Sequence, residues 1–139
     1  MTQEDKELLL KDLCARLPYG VKIELTWWVM NEGMYMNTTL EPDHIDQLLN
    51  DEDGDAEIKP YLFPFSSITS EQLFEVQEIL GKNEIKIEDG FLRIVDSDRN
   101  TISYLEILAV LNWFYKNHFD INGLIPMGLA IDATELNIY

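Results

Sequence analysis

The amino-acid sequence predicts an α+β fold, in which an antiparallel sheet built from hairpins packs against a central helix in the C-terminal half and two smaller helices. Three observations lead to this prediction. Apolar and polar residues alternate over 21–29, which is the pattern of a half-buried strand. The segment Thr69-Ser70-Glu71-Gln72 has the signature of a capping box that starts a helix. Apolar residues dominate 104–116 on more than one side of a helix, which predicts the central helix.

The N-terminal half is expected to contain a helix, a hairpin and a second short helix. Thr2 can cap the first helix, in which leucines recur at helical spacing until Pro18 ends it. The strand over 21–29 then turns at Asn31-Glu32-Gly33 onto a second strand, Met34 to Leu40. The stretch that follows has the apolar spacing of a short helix.

The C-terminal half alternates extended and helical segments. Pro60 and Pro64 flank an apolar segment, which is therefore not expected to form a fully hydrogen-bonded central strand. The capping-box helix should end at Gly81. Residues 84–95 form a second predicted hairpin, because Asp89-Gly90 favours a two-residue turn. Since neither a repeat nor a linker interrupts the chain, residues 1–139 are predicted to form a single acidic domain.

The charge of the chain limits its partners. Asp and Glu number 26 against 10 Lys and Arg, for a formal net charge of -16. Because nucleic-acid binding depends on Lys and Arg that neutralise phosphates, no nucleic-acid partner is expected. An anionic membrane surface is disfavoured for the same reason. Such a charge can instead orient the protein towards a basic protein surface, bind a cation or maintain solubility.

The cysteine content and the N-terminal residues indicate a cytoplasmic protein. Cys14 is the single cysteine, so no intramolecular disulfide can form. The N-terminus lacks the basic start and apolar run of a signal peptide, and no apolar stretch approaches ~20 residues. A P-loop, a dinucleotide-binding glycine motif and a Gly-x-Ser-x-Gly motif are all absent, and no cofactor is predicted.

Two His-x-Asp pairs, His44 with Asp46 and His118 with Asp120, are the candidate metal ligands. Imidazole and carboxylate groups bind Zn²⁺ and Mn²⁺, so the four side chains would form a site if the fold brought them together. Histidines at helix ends and a capping Asp120 explain the same residues more simply. We therefore predict no metal and keep a small metal-dependent or ligand-binding enzyme centred on His118 and Asp120 as the alternative.

Two acidic segments resemble calcium loops only in part. Asp96 to Asn100 has the alternating oxygen ligands of the first half of an EF-hand, but Thr101 replaces the required glycine and Ile107 the required glutamate. A polar turn before a helix is the favoured interpretation. The acidic loop 51–57 is predicted to be solvated, and any calcium bound there should be weak.

The adjacent tryptophans Trp27 and Trp28 cannot both face one core. Neighbouring strand residues point to opposite faces, so Trp28 and Met30 should lie on the face away from the core. Burial of that face under a helix is the simpler interpretation, and an exposed contact surface is the alternative that we develop. Two registers of the hairpin compete. A three-residue loop with a left-handed Gly33 pairs Met30 with Met34 and Trp28 with Met36, whereas a two-residue Glu32-Gly33 loop pairs Val29 with Met36. We favour the three-residue loop, which gathers a surface of Trp28, Met30, Met34 and Met36.

Three stretches resemble an uncharacterised family of small acidic proteins found in gut anaerobic bacteria and their phages. They are Leu8 to Lys22, Lys59 to Thr69 and Asn117 to Ala133. The resemblance carries no activity, cofactor or catalytic residue, and it implies an intracellular setting associated with mobile elements.

The residues and the resemblance together lead to one expectation about function. We expect a non-enzymatic protein-binding module, such as an inhibitor or accessory protein of phage or mobile-element origin. Its partner is either an unknown protein or a second copy of the chain. Acidic charge would orient that partner, and the exposed aromatic and Met residues would contact it.

Overall fold

The computed structural model describes residues 1–51, 56–81, 84–88, 91–95 and 104–139, and the fold class is α+β, as predicted. The helices are α1 (Gln3–Arg16), α2 (Pro42–Asn50), α3 (Ser70–Leu80) and α4 (Tyr104–Lys116), with 3₁₀ turns at Leu17–Tyr19 and Phe65–Ser67. The strands are β1 (Lys22–Val29), β2 (Glu32–Thr39), β3 (Ala56–Leu62), β4 (Glu84–Glu88), β5 (Phe91–Val95) and β6 (Ile131–Asp132). The polar segment 96–100, the turn 89–90 and residues 52–55 of the acidic loop lie outside the described residues.

Contacts divide the chain into two units, each with its own core. Met1–Leu62 and Asn122–Tyr139 form the first unit, and Phe63–Ile121 forms the second. The first core is aliphatic and includes Leu9, Leu13, Ile23, Leu48 and Ile58. The second is rich in aromatic rings, which are contributed by Phe65, Phe114 and Phe119. That residues 1–139 form a single domain stays a prediction.

Helix α1 begins as predicted and carries a buried ion pair. Thr2 Oγ1 accepts a hydrogen bond from the Asp5 N–H, and the Asp5 carboxylate accepts one from the Thr2 N–H. One turn from the end of the helix, Asp12 accepts two hydrogen bonds from the guanidinium of Arg16, at 2.7 Å and 3.0 Å, and both side chains are fully buried. The Asn122 amide donates a third hydrogen bond to Asp12, at 2.9 Å.

The first unit contains a four-stranded sheet with the order β2-β1-β3-β6. Strand β1 pairs antiparallel with both β2 and β3, and β6 pairs parallel with β3. Pairing with β1 ends at Pro60, and pairing with β6 begins at Tyr61. Strand β3 therefore lies between β1 and β6, but each part of it pairs with a strand on one side only. This agrees with the constraint that Pro60 imposes.

The hairpin of β1 and β2 has neither of the two registers expected from the sequence. Val29 pairs with Glu32 and Trp28 with Gly33, so the loop consists of Met30 and Asn31 alone. Both loop residues have positive φ, 50° and 66°, as a type I′ turn requires. The prediction failed because it assigned the left-handed conformation to Gly33, which lies inside β2 instead.

The second unit contains the other predicted hairpin and α4, which the sequence predicted as the central helix of the fold. Helix α3 begins with the expected capping box, in which Thr69 Oγ1 accepts from the Gln72 N–H, and it ends at Gly81, whose N–H donates to the Gln77 carbonyl. Strands β4 and β5 pair with Glu88 opposite Phe91, which leaves a two-residue connection. They form a two-stranded sheet of their own, so the expectation of one sheet for both hairpins was wrong. In the four-stranded sheet, the second neighbour of β1 is β3.

Two backbone hydrogen bonds join the ends of the second unit. The Phe63 N–H donates to the His118 carbonyl at 2.8 Å, and the Asp120 N–H donates to the Phe63 carbonyl at 2.9 Å. His118 follows α4 with φ of 65°, a left-handed conformation that ends the helix. The segment that enters this unit and the segment that leaves it are therefore adjacent.

Candidate functional site

The outer end of the β1–β2 hairpin extends beyond the aliphatic core. On the face of β1 that points to the core, Ile23 is fully buried, Leu25 and Trp27 are partly buried, and Val29 is 49% exposed. Helices α1 and α2 supply the leucines that cover the inner end of this face. The exposure rises because the hairpin continues for several residues past those leucines.

All four residues of the predicted contact surface are exposed, but they do not share one face. Met34 pairs with Trp27 and Met36 with Leu25, so both methionines lie on the core-side face. Trp28 lies on the opposite face, and Met30 is in the turn. The common face expected from the three-residue loop is therefore incorrect. Exposure itself ranges from 44% for Met36 to 95% for Met30.

Met30 combines almost complete exposure with an unfavourable backbone conformation. Its φ is 50°, in the left-handed region that Asn, Asp and Gly adopt most readily. A long apolar side chain gains nothing from burial there, since 95% of the residue is exposed to solvent. Neither local backbone preference nor packing within the chain explains a methionine at this position.

Trp28 packs across the hairpin onto Gly33. A Cβ added to Gly33 would lie 3.4 Å and 3.5 Å from two atoms of the indole ring. The ring therefore covers backbone that a side chain would otherwise cover, which holds the ring in place while 58% of the residue stays exposed. This arrangement presents an exposed aromatic surface, the kind that protein interfaces use most.

A shallow cavity of about 270 Å³ lies on the core-side face at the end of the hairpin. Its lining includes Trp27, Val29, Met30 and Met34, and Glu32 is the one charged residue. Sequence reasoning missed Val29 because its place in the alternating pattern assigned it to the core. The length of the two strands, eight residues each, was the available signal that the hairpin reaches past its covering helices.

The inner part of the opposite face is polar and hydrogen-bonded. Tyr61 Oη is 2.8 Å from Asn37 Oδ1 and 3.2 Å from a carboxylate oxygen of Glu24. Burial and the neighbouring Glu24 carboxylate raise the pKa of Tyr61, so this hydroxyl stays neutral and donates. The hydroxyl of Tyr139 accepts from the Lys22 N–H and donates to the Tyr61 carbonyl. These hydrogen bonds give the polar residues of this face a role in stabilising the fold.

A larger cavity of about 490 Å³ lies in the first unit beside β3, and Trp28 is among its lining residues. Leu9, Leu48 and Ile58 line its apolar part, and Lys6 and Lys59 are among its charged residues. Its walls carry both signs of charge. The cavity does not indicate a particular chemistry.

The predicted metal ligands have structural positions in separate units. His44 Nδ1 accepts a hydrogen bond from the Glu41 N–H at 2.9 Å, so this histidine lies at a helix end, as expected. His118 also follows a helix, with Asp120 beside it in the strand-like bridge to Phe63. Among the residues that the structure describes, no three His, Cys, Asp or Glu side chains are grouped closely enough to hold a metal ion.

Two further observations bear on the class of protein. Within the described ranges, no helix combines the length and the apolar character needed to cross a bilayer. Comparisons of the chain with protein-family models, with curated proteins and with solved structures yielded no match, and the resemblance noted from the three stretches stays a prediction.

Proposed function

We propose that the chain is a non-enzymatic protein-binding module and that its contact surface is the outer end of the β1–β2 hairpin. This hairpin-end surface comprises Trp28, Val29, Met30 and Met34. The observation that supports it most directly is the exposed methionine in a left-handed turn, because a conformation that costs stability is retained where it serves a contact.

The physical character of the surface suits protein recognition. Trp28 offers a fixed ring, whereas Met30 and Met34 offer flexible thioethers that adapt to the shape of a partner. The formal net charge of -16 gives the whole chain a field that attracts and orients a basic protein during encounter. An inhibitor or accessory role in a mobile-element setting is compatible with these properties.

Binding can be tested by comparing variants in affinity capture from the native host. The bait proteins are wild type, Met30→Asn and Trp28→Glu, with Phe74→Glu as the matched control, since Phe74 is 64% exposed on α3. A partner that uses the hairpin end should be retained by wild type and Phe74→Glu. Its affinity for either hairpin variant, measured by calorimetry once it is purified, should fall about tenfold or more.

The stability of the variants separates a contact role from a folding role. Asn adopts positive φ more readily than Met, so Met30→Asn should keep or raise the melting temperature while it lowers the affinity for the partner. Equal binding by all four proteins would refute the proposed surface. Loss of binding in the Phe74→Glu control would show that the assay reports charge or folding in general.

A further inference from the structure

Strand β2 is an unprotected edge of the four-stranded sheet, and we propose that it pairs antiparallel with β2 of a second copy of this chain. The proposal goes beyond the proposed function, since it concerns the edge of the same hairpin and names a second copy of the chain, not the basic partner. In the described part of the chain β2 pairs with β1 on one side and with no strand on the other. Exposed edges are templates for pairing with another strand.

The register of the sheet shows which backbone groups β2 presents outward. Pro60 has no N–H, so its pair with Ile23 is not hydrogen-bonded, and alternate residues of β1 therefore bond to β3. The remaining residues of β1, from Ile23 to Val29 in steps of two, bond to β2. Hydrogen-bonding groups of the other β2 residues point away from the sheet; these residues are Gly33, Tyr35, Asn37 and Thr39.

The composition of β2 is suited to pairing with itself. Natural edge strands are usually protected by lysine, proline, inward-pointing charge or a bulge. Strand β2 has no lysine or proline, and its eight pairs with β1 run without a bulge. Glu32 is its one charged residue and lies at one end. Antiparallel pairing therefore keeps the two Glu32 carboxylates apart, at opposite ends of the joint.

Two-fold symmetry and the outward groups allow a register with Tyr35 opposite Tyr35 of the second copy, and this register is the one that we propose. Both residues then exchange their backbone hydrogen bonds, and Gly33 pairs with Asn37 in the same way. On the core-side face, Met34 of each copy lies opposite Met36 of the other. The exposed methionines of the two chains thereby cover one another, and the sheet becomes continuous through eight strands.

Charge argues for an uncharged joint and for a weak complex. Two chains of net charge -16 repel one another, so they can meet only where the surface carries little charge, and β2 is such a surface. A joint of one strand per copy is small and is opposed by charge, so we expect a weak complex with a dissociation constant in the micromolar range. Salt screens the repulsion and should strengthen the dimer.

The oligomeric state tests the proposal directly. Sedimentation of the wild-type chain from about 1 to 300 μM should show a reversible monomer–dimer equilibrium, and raising NaCl from 50 to 500 mM should lower the dissociation constant. Tyr35→Lys puts like charges opposite each other at the centre of the joint, and should raise that constant at least tenfold with an unchanged circular dichroism spectrum. Phe74→Lys makes the same chemical change on α3 and should dimerise as wild type does.

Engineered cysteines test the register in a Cys14→Ser background, because Cys14 is exposed. Tyr35→Cys should form a disulfide-linked dimer on mild oxidation, whereas Asn37→Cys should not, since its counterpart lies four residues away along the joint. A wild-type chain that remains monomeric at 300 μM, a Tyr35→Lys variant that still dimerises, or preferential crosslinking at position 37 would overturn the proposal. A monomer that retains a host partner through the hairpin end would leave the proposed function standing and refute only the self-pairing.

Discussion

The buried ion pair of α1 offers a stability test with a large expected effect. Asp12→Asn preserves the size of the side chain and removes its charge. The guanidinium of Arg16 then stays fully buried after losing the carboxylate that it contacts at 2.7 Å. The amide also replaces one of the two accepting oxygens by a donor; Oδ2 accepts from Arg16 Nε, and Oδ1 accepts from Arg16 Nη2 and from Asn122. Charge compensation and hydrogen bonding are therefore disturbed together.

The magnitude follows from the burial of both partners. Removing one member of a fully buried pair typically costs about 3–5 kcal/mol, because the remaining charge is left in a medium of low polarity. A domain of this size has about 5–15 kcal/mol of stability in all, so the variant should lose a large part of it. We expect a fall of this size in the free energy of unfolding, measured by urea denaturation with tryptophan fluorescence and circular dichroism.

A surface ion pair in the same unit is the matched control. Lys59 and Glu57 are 3.3 Å apart, and both side chains are partly exposed. Glu57→Gln should therefore change the free energy of unfolding by less than about 1 kcal/mol. The reasoning is refuted if Asp12→Asn costs no more than this control. A double replacement by apolar residues, Asp12→Leu with Arg16→Met, should recover most of the loss.

Three further predictions concern a cap, a turn and a tyrosine. Thr69→Ala removes the capping acceptor of α3 and should lower the free energy of unfolding by about 1 kcal/mol in chemical denaturation, whereas Ser70→Ala, one residue later, should have little effect. Replacing Met30 and Asn31 by Asn and Gly supplies the preferred type I′ residues and should raise stability by about 1 kcal/mol in the same assay; a loss would contradict the assigned turn. Burial raises the pKa of Tyr139 from 10.0 to about 12, so the folded state favours the neutral phenol. Its contribution to stability is complete below pH 10 and is lost as the pH rises through 12, and Tyr139→Phe should reduce this loss in melts between pH 9 and 12.

Local signals in the sequence were sufficient for most of the helices and hairpins. Thr2 and Thr69 each start a helix as predicted, because a capping box depends on residues three positions apart. The second hairpin has the predicted two-residue connection for a similar reason. These features depend on neighbours in sequence, so one sequence suffices to predict them.

Features that depend on distant residues were missed. The parallel pairing of β6 with β3 joins Ile131 to Tyr61, and the sequence around either residue contains no signal that predicts this pairing. The register of the first hairpin failed for a different reason: the glycine rule for left-handed residues was applied where Met30 and Asn31 adopt that conformation. That departure from local preference is also the observation that supports a contact role, since function often accounts for such residues.

The division of the chain also constrains the order in which it folds. The first unit is discontinuous: β6 and Asn122 follow the whole of the second unit in sequence but complete the sheet and the buried cluster around Asp12. Bringing the ends of an intervening segment of about 60 residues together costs about 3–4 kcal/mol of chain entropy if that segment is unfolded. When the hydrogen bonds between Phe63 and residues 118 and 120 have formed, the two ends of the segment are already adjacent, and closing the first unit no longer carries this entropy cost. During synthesis, the sheet would therefore stay incomplete after α1, β1, β2 and β3 have formed. It would be completed when the second unit has folded and β6 can pair with β3.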